Sequence, residues 1–272
     1  MPSVPTVLRA LARLGAARLT VLAAVSMLTA SLVHAGPFVV HPTRLDLGAT
    51  RPSGALVVRN EGASPLAFQI TGMHWTQDDE GQEHYAGTDD LIYFPRLLTL
   101  PPGQSAVIRV GLRHPAGAVE KAYRLFIEQL AAPGPSEDTS SARVRVLVRL
   151  GAPVFVAPLA PRQQLTLSTF EVAHHQVRWT LHNEGSRHEV FQSIALRGLD
   201  TAGAEVFRQE FTGRYFLAAA TRQFRADIPA PACPHIHRLE LEVKTDRGHI
   251  TRQLEAGACA CAPPVTPADA RR

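Results

Sequence analysis

Short runs in which apolar and polar residues alternate fill the first half of the chain. The runs begin at Phe38, Gly54, Pro65, Leu91, Gln104 and Tyr123. Turn signals such as Asn60-Glu61-Gly62 and Pro101-Pro102-Gly103 separate them. Alternation with a period of two residues predicts strands with one buried face. About seven such strands with regular turns predict an immunoglobulin-like sandwich.

The second half repeats this kind of pattern after a short segment, 159–164 (LAPRQQ), which we interpret as a linker. Strand-like runs resume at Leu165, and the tripeptide Asn-Glu-Gly, first met at Asn60, recurs at Asn183. Asn and Gly tolerate left-handed backbone conformations, so both tripeptides are interpreted as turns. We therefore predict an all-β fold of two immunoglobulin-like β-sandwich domains in tandem. The predicted limits are 36–158 for the N-terminal domain, 159–257 for the C-terminal domain and 258–272 for a flexible tail.

One run is longer than the others. It extends from Arg143 to Pro158 (RVRVLVRLGAPVFVAP), whereas strands are typically about 5–6 residues long. Its apolar face carries Val144, Val146, Val148 and Leu150. Its other face carries Arg143, Arg145 and Arg149. Either the valines pack on the core of an ordinary sandwich, or they lie beside an incomplete partner whose sheet this strand extends.

The first 35 residues have the order of a secretory signal. Three arginines precede an apolar run, Leu19–Val33, and small residues follow up to Ala35. This order predicts export and a mature chain that begins at Gly36. An uncleaved membrane anchor is the alternative, although the run is shorter than the about 20 apolar residues that a spanning helix needs. No later segment is long and apolar enough to span, so we predict no membrane insertion after the signal is removed.

Charge and motifs argue against nucleic-acid binding and catalysis. The chain has 28 Lys and Arg against 24 Asp and Glu, and removal of the three signal arginines leaves 25 against 24. No basic cluster is interleaved with aromatic residues, as a nucleic-acid surface would require. The motifs of nucleophile elbows, zinc peptidases, P-loops and dinucleotide folds are missing. We predict a binding or assembly protein without a cofactor, not an enzyme.

The three cysteines flank a predicted hairpin, 237–255, that turns near Asp246-Arg247-Gly248. Pairing across this turn brings Cys233 opposite residue 260, so a disulfide to Cys259 or to Cys261 is geometrically natural. An oxidising compartment favours such a bond. The alternative is a zinc or copper site that uses Cys233, His235, His237 and the Cys-Ala-Cys pair. Structural zinc sites usually space their cysteines more widely, which favours the disulfide.

Several segments together resemble the periplasmic pilus (fimbrial) assembly chaperones of the chaperone–usher pathway. They are HPTRLDL from His41, LVVRNEG from Leu56, Trp75, DDLIYFPRLLTLPPGQSAVIRV from Asp89, AYRLFIEQL from Ala122 and PVFVAP from Pro153. Two of them, YRLFIEQL and PVFVAP, look closer to the archaic branch of the family than to the best-studied branch. The match is strongest in the first domain, and it implies two immunoglobulin-like domains in a boomerang arrangement.

The resemblance implies a function. Such chaperones bind exported pilus subunits by donor-strand complementation in the Gram-negative periplasm and deliver them to an outer-membrane usher, without ATP. Each subunit lacks its last strand, and the chaperone lends its own. By position, the groove-filling residues are Val144, Val146, Val148 and Leu150. When no subunit is bound, a self-capping dimer is possible.

The family also anchors the subunit's terminal carboxylate with two basic residues in the cleft between the domains. Arg44 matches the first of them. The second is a lysine in the best-studied branch, and its place is taken here by Pro153, which cannot hold a carboxylate. Arg149 and Arg124 are candidates for its replacement, unless the archaic branch anchors differently. Because Pro153 lacks an N–H, we interpret it as the end of the borrowed strand.

Two other classes of function stay open on the sequence alone. The chain also fits a secreted two-domain immunoglobulin-like adhesin or structural module, in which the long strand is core. It also fits a periplasmic metal-carrying protein that uses the cysteine and histidine cluster.

Overall fold

The structure is a computed structural model that describes residues 38–114, 117–131, 146–213 and 215–256. The predicted signal peptide and tail lie outside these ranges, as do Val144, Cys259 and Cys261. Contacts divide the chain at Phe38, and the part from Val39 onward forms one compact unit. No helix within the described ranges is long and apolar enough to cross a membrane.

Ten strands form the first sandwich of the described chain. They are β1 (Phe38–His41), β2 (Leu45–Leu47), β3 (Ser53–Asn60), β4 (Leu66–Gln77), β5 (Glu83–Gly87), β6 (Leu91–Phe94), β7 (Leu97–Leu100), β8 (Ser105–Leu112), β9 (Lys121–Leu130) and β10 (Arg149–Val156). One sheet has the order β1-β3-β8-β6. The other has the order β2-β10-β9-β4-β5, with β7 also paired to β4.

The two sheets of the first sandwich pack closely. A Cβ added to Gly72 on β4 would lie 2.8 Å from the ring of Tyr93 on β6, so only glycine fits there. Two strand pairs in the sequence, β1–β2 and β6–β7, pass from one sheet to the other. Pro42 and Pro95 stand at these crossings, where a missing N–H interrupts a ladder. Buried strand residues such as Leu56, Ile108 and Ile127 form the core.

Eight strands and one short 3₁₀ turn form the second sandwich of the described chain. They are β11 (Leu165–Ala173), β12 (Gln176–Asn183), β13 (Glu189–Leu199), β14 (Glu205–Phe211), β15 (Tyr215–Phe216), β16 (Thr221–Asp227), the 3₁₀ turn Cys233–His235, β17 (Arg238–Thr245) and β18 (His249–Glu255). The sheets have the orders β11-β12-β16 and β14-β13-β17-β18, with β15 paired to β13. Trp179 stacks on Phe224 in the core between them.

The predicted all-β fold of two immunoglobulin-like sandwiches is confirmed. The end of β10 at Val156 and the start of β11 at Leu165 leave an irregular connection between the sandwiches. The domain limits 36–158 and 159–257 stay a prediction, because the chain from Val39 onward behaves as a single compact unit.

Both Asn-Glu-Gly tripeptides form turns, but not for the predicted reason. Neither asparagine nor either of the following glycines, Gly62 and Gly185, has a positive φ. Each asparagine is buried and uses its side chain to bind the backbone of its own turn. Hydrogen bonding by the asparagine amide, and not left-handed geometry, therefore explains the repeat.

The cysteine hairpin turns where the sequence predicts, between β17 and β18. Cys233 is buried and disulfide-bonded. Both predicted partners, Cys259 and Cys261, lie outside the described residues, so the pairing stays a prediction. His235 lies in the 3₁₀ turn, so it does not share a strand face with His237. Within the described ranges, no group of His, Cys, Asp and Glu is arranged to hold a metal ion.

Candidate functional site

The last strand of the first sandwich, β10, has one partly open edge. Along one side it pairs antiparallel with β9 from Arg149 to Val156. Along the other side it pairs with β2 only from Val154 to Val156, in parallel. Residues 149–153 therefore have a strand neighbour on one side only, within the described part of the chain.

The register shows which backbone groups face the open edge. The N–H of Gln129 on β9 donates to the carbonyl of Val148 at 3.0 Å, which makes these two residues a hydrogen-bonded pair. In such a ladder, alternate residues direct their backbone groups to the same side, so Arg149, Gly151 and Pro153 direct theirs to the open edge. The N–H of Ala157, which has the same parity, bonds Leu47 on that side at 2.9 Å. Pro153 thus interrupts the open edge where pairing with β2 begins.

The predicted apolar face of this strand is present in the described residues. Leu150 lies opposite Ile127, whose side chain is fully buried, so this face continues the core of the sandwich. Along it, burial falls towards the start of the strand: Val154 is buried, Leu150 and Val148 are half-buried, and Val146 is 73% exposed. The apolar row therefore continues beyond the core, and the described part of the molecule covers it less and less towards Val146.

The strand is shorter than the sequence predicts. It begins at Arg149, and Val146–Val148 are described without regular strand structure. The strand starts late because the described part of the chain offers little neighbouring strand to pair with the residues before Arg149. Its partner β9 ends at Leu130, roughly opposite Leu147, and the other edge is open. A strand needs a ladder, so this segment lacks the partner that would extend it.

Arg149, one of the candidate anchors, lies at the outer end of the strand. Its Nε is 3.3 Å from a carboxylate oxygen of Glu128, which lies directly opposite on β9. Its guanidinium lies 3.9 Å over the ring of Phe126. These two contacts hold the Arg149 side chain at the outer end of the strand, four residues before Pro153.

Arg124 lies directly opposite Pro153 on β9, and its side chain is only 13% exposed. Its guanidinium lies 3.8 Å over the ring of Trp75. Nη2 donates to both carboxylate oxygens of Glu83, at 2.9 and 3.2 Å. Nη1 donates to the carbonyl of Gly151 at 3.3 Å, so the side chain crosses β10 to its open edge.

Arg44 lies on the other side of Pro153. The register between β2 and β10 pairs Leu45 with Val154, which places Arg44 beside Pro153 and on the same face as Asp46. Its Nε donates to the Asp46 carboxylate at 3.0 Å. The structure therefore brings Arg44 and Arg124 to opposite sides of Pro153, in one row across three strands, while Arg149 lies apart from that row.

Residues that the sequence analysis missed connect this row to the second sandwich. The amide of Gln77 donates to the carbonyl of Tyr215 and accepts from the N–H of Leu217, each at 3.0 Å. The ring of Tyr215 also packs edge-on against Trp75. These contacts join positions almost 140 residues apart in the sequence, so no local pattern announces them.

A second connection between the sandwiches is polar and buried. The carboxylate of Glu120 lies 2.6 Å from Nδ1 of His188 and accepts the His188 backbone N–H at 2.9 Å. The His188 ring stacks on Phe155 of β10 at 3.7 Å. Because Phe155 lies two residues beyond Pro153, this contact fixes the second sandwich beside the row of arginines.

The first part of the chain matches a known protein family. Residues 37–161 match the family model for pili and flagellar-assembly chaperones, PapD N-terminal domain. A comparison with curated proteins found no match. The family match confirms the resemblance to pilus-assembly chaperones that the sequence predicts.

Solved structures of the same fold cover most of the chain. One is a chain of the CsuC–CsuE chaperone–tip adhesion subunit pre-assembly complex from archaic chaperone-usher Csu pili of Acinetobacter baumannii. It is 17% identical with a TM-score of 0.54, and the match covers 80% of this chain and 98% of that one. The class 5 fimbriae chaperone CfaA is 13% identical with a TM-score of 0.53, over 79% and 98% of the two chains.

A third match is a chain of the SafA pilin–SafB chaperone complex of Salmonella enterica. It is 15% identical with a TM-score of 0.52, and it covers 82% of this chain and 98% of that one. At these identities the matches show the shared two-sandwich fold.

Proposed function

From the match of residues 37–161 to the family model for pili and flagellar-assembly chaperones, we propose that this chain is a periplasmic chaperone of pilus subunits. It binds a subunit by donor-strand complementation and delivers it to an outer-membrane usher. It performs no catalysis and uses no cofactor. The apolar run at residues 19–33, preceded by arginines, supports export to the periplasm.

The open edge of β10 carries this proposal. Within the described part of the chain, residues 149–153 have a strand neighbour on one side only, and the apolar row extends from the core face to Val146, which is 73% exposed. A subunit that lacks its last strand needs both parts: a backbone edge for its sheet and alternating apolar side chains for its groove. Val144, Val146, Val148 and Leu150 are the proposed groove-filling residues.

The energetics suit the role. Complete burial of one valine side chain stabilises a complex by roughly 1.5–3 kcal/mol, and the ladder hydrogen bonds add to this. Three or four such residues supply enough free energy to hold an incomplete sheet. The exposed Arg149 places a charge on the opposite face of the free edge strand, as charges on edge strands commonly do to prevent aggregation.

The row on either side of Pro153 is the proposed anchor for the subunit's terminal carboxylate. Arg44 occupies the position of the first family anchor, and Arg124 reaches the open edge beside Pro153 and supplies the second positive charge. A guanidinium binds a carboxylate through two parallel hydrogen bonds, which fixes the position of the chain end. This anchor sets the register in which the apolar row meets the groove.

The test compares two exposed valines. Val146→Asp places a charge in the proposed groove-filling row, whereas Val107→Asp places the same charge on β8, where Val107 is 48% exposed on the other sheet. Each tagged protein is purified from periplasm that contains the pilus subunits of the source organism, and bound subunits are identified by mass spectrometry. We expect Val107→Asp to retain them and Val146→Asp to lose them, with unchanged circular dichroism melts for both.

The outcomes separate the proposed function from the adhesin alternative. If Val146→Asp melts early, the valine belongs to the core, and an ordinary two-domain module explains the strand. If both variants fold and neither differs from the wild type in the subunits retained, the donor-strand role is wrong.

A further inference from the structure

The carboxylate of Glu83 on β5 is already paired with the guanidinium of Arg124, the group that the proposed anchor needs. Both carboxylate oxygens accept from Nη2 of Arg124 at 2.9 and 3.2 Å. Glu83 is 36% exposed, while the Arg124 side chain beneath it is 13% exposed. A carboxylate that approaches from solvent therefore meets Glu83 before it meets Arg124.

Several contacts hold Arg124 in one position independently of Glu83. The guanidinium stacks on Trp75 at 3.8 Å, and Nη1 bonds the carbonyl of Gly151. A Cβ at Gly151 would lie 3.0 Å from the ring of Phe126, so the glycine leaves room for that ring, whereas Cδ of Arg124 at 3.7 Å is in ordinary van der Waals range of that position. The removal of Glu83 would therefore free donors of a guanidinium that stays in place.

Arg124 also has an unused donor. Its Nε is buried and has no hydrogen-bond partner within the described ranges. A buried donor without a partner is costly, so this guanidinium retains hydrogen-bonding capacity beyond its present contacts. The guanidinium is therefore not saturated by the contacts of the free chain.

We propose that Glu83 is an internal competitor for the carboxylate site of Arg124, which a subunit's terminal carboxylate must displace. This rests on the proposed function for the identity of the ligand, but the competition itself is a property of this chain. The hydroxyl of Tyr85 donates to Oε2 of Glu83, the oxygen that lies farther from Arg124, so a displaced Glu83 keeps one partner. Burial and this hydrogen bond raise the pKa of Tyr85, which keeps the donor protonated.

The exchange has a consequence for specificity. A ligand carboxylate replaces an existing ion pair instead of meeting a bare charge, so a carboxylate alone gains little at this site. A subunit gains more, because its backbone and apolar side chains bind β10 at the same time. Glu83 thus favours ligands that offer a strand edge together with a chain end over small carboxylates.

Acetate is the probe that tests the competition without any subunit. The Nε–H signals of ¹⁵N-arginine-labelled full-length protein are followed by NMR during titration, and Arg124 is assigned by its loss in Arg124→Lys. In Glu83→Gln we expect acetate to bind at Arg124 at least about tenfold more tightly than in the wild type, since one charge-assisted pair no longer competes. Glu83→Ala should show the same gain.

The matched control is Glu128→Gln, which frees Arg149 on the same face of the same sheet. This variant should leave the Arg124 titration unchanged. If acetate binds Arg124 equally in the wild type, Glu83→Gln and Glu83→Ala, the competition does not exist and the proposal is wrong. Ring-proton shifts of Trp75 check that Arg124 stays stacked in each variant.

Subunit capture distinguishes this proposal from the proposed function. In the periplasmic purification, Glu83→Gln should retain more subunit than the wild type. A gain in acetate binding without any subunit capture, even by the wild type, would leave the competition standing and contradict the chaperone role. Normal capture without a gain in acetate binding would contradict the competition alone.

Discussion

Each sandwich contains an Asn-Glu-Gly turn, but the two differ in how the last strand is paired. In the first, the Asn60 side chain donates to the carbonyls of Ser64 and Leu100 and accepts from the N–H of Gly62. In the second, the last strand, β18, lies at the edge of its sheet and pairs along its length with β17 alone within the described residues, whereas β10 is also paired with β2 from Val154 to Val156. In the first, the last strand has a stretch with one neighbour only.

Asn183 is the counterpart in the second sandwich. Its amide donates to the carbonyls of Arg187, Phe216 and Leu217, and its oxygen accepts from the N–H of Gly185. The same device thus ties a turn to a distant strand in both halves. Since the internal ties are alike, the open edge of β10 is not a sign of a generally weaker sandwich, and it agrees with the proposed role of that edge in binding a subunit.

The largest expected effect lies within β10 itself, where its closed and open parts meet. Val154 is fully buried between β2 and β9, while Val146, which lies just before the regular strand, is 73% exposed. Val154→Asp buries an unpaired charge and should destabilise the first sandwich by about 4 kcal/mol or prevent its folding. Val146→Asp should change the free energy of unfolding by less than about 0.5 kcal/mol.

Urea unfolding with fluorescence detection tests this difference. The chain has two tryptophans, and Trp75 and Trp179 lie in different sandwiches. Replacement of either one by Phe leaves a reporter for the other half. Equal losses from Val154→Asp and Val146→Asp would contradict the distinction between a closed and an open part of the strand.

The next largest effect compares the two asparagines. Asn183→Ala leaves three backbone carbonyls without the two amide N–H groups that they share, and Asn60→Ala leaves two carbonyls without theirs. An unsatisfied buried acceptor costs about 1–3 kcal/mol, so both variants should lose stability and Asn183→Ala should lose more. Each loss should be seen first by the tryptophan of the sandwich that carries the change. A larger loss for Asn60→Ala would mean that the number of bonds does not decide the cost.

Much of the fold could be predicted from the sequence, because alternation with a period of two residues is a local signal. The face of Val146, Val148 and Leu150 is predicted by that alternation, and the register against β9 agrees with it at Leu150, which lies opposite the buried Ile127. The start of the regular strand at Arg149 does not follow, since it depends on where β9 ends. A local sequence pattern predicts which residues can pair, but it does not predict where the neighbouring strand ends.

Less of the candidate site could be predicted from the sequence. Arg44 followed from family resemblance, and Arg124 was one of two open choices. Its advantage over Arg149 is a matter of register, because it lies opposite Pro153 on the neighbouring strand. Glu83 gave no signal at all in the sequence. It reaches Arg124 from a separate hairpin strand, 41 residues away along the chain.

The smallest expected effect concerns acid stability, and it sharpens the comparison between the sandwiches. Asp90 in the first accepts from the Tyr123 hydroxyl at 2.6 Å and from Lys121 at 2.9 Å, and these hydrogen bonds lower its pKa. Glu242 in the second has one such partner, Lys244, which also lowers its pKa. A lowered pKa means stability that is present above the unfolded pKa and is lost as pH falls through the folded value.

Both carboxylates are largely solvated, so each effect should be small. Between about pH 5 and pH 2 the first sandwich should lose slightly more stability than the second, and Asp90→Asn should remove that excess. Urea midpoints at a series of pH values, read separately from Trp75 and Trp179, measure it. The open edge of β10 carries no carboxylate between Arg149 and Pro153. A loss of stability in acid that persists in Asp90→Asn would therefore have to come from another group of the first sandwich. The two-partner hydrogen bonding of Asp90 would then not be what sets the acid stability of this half.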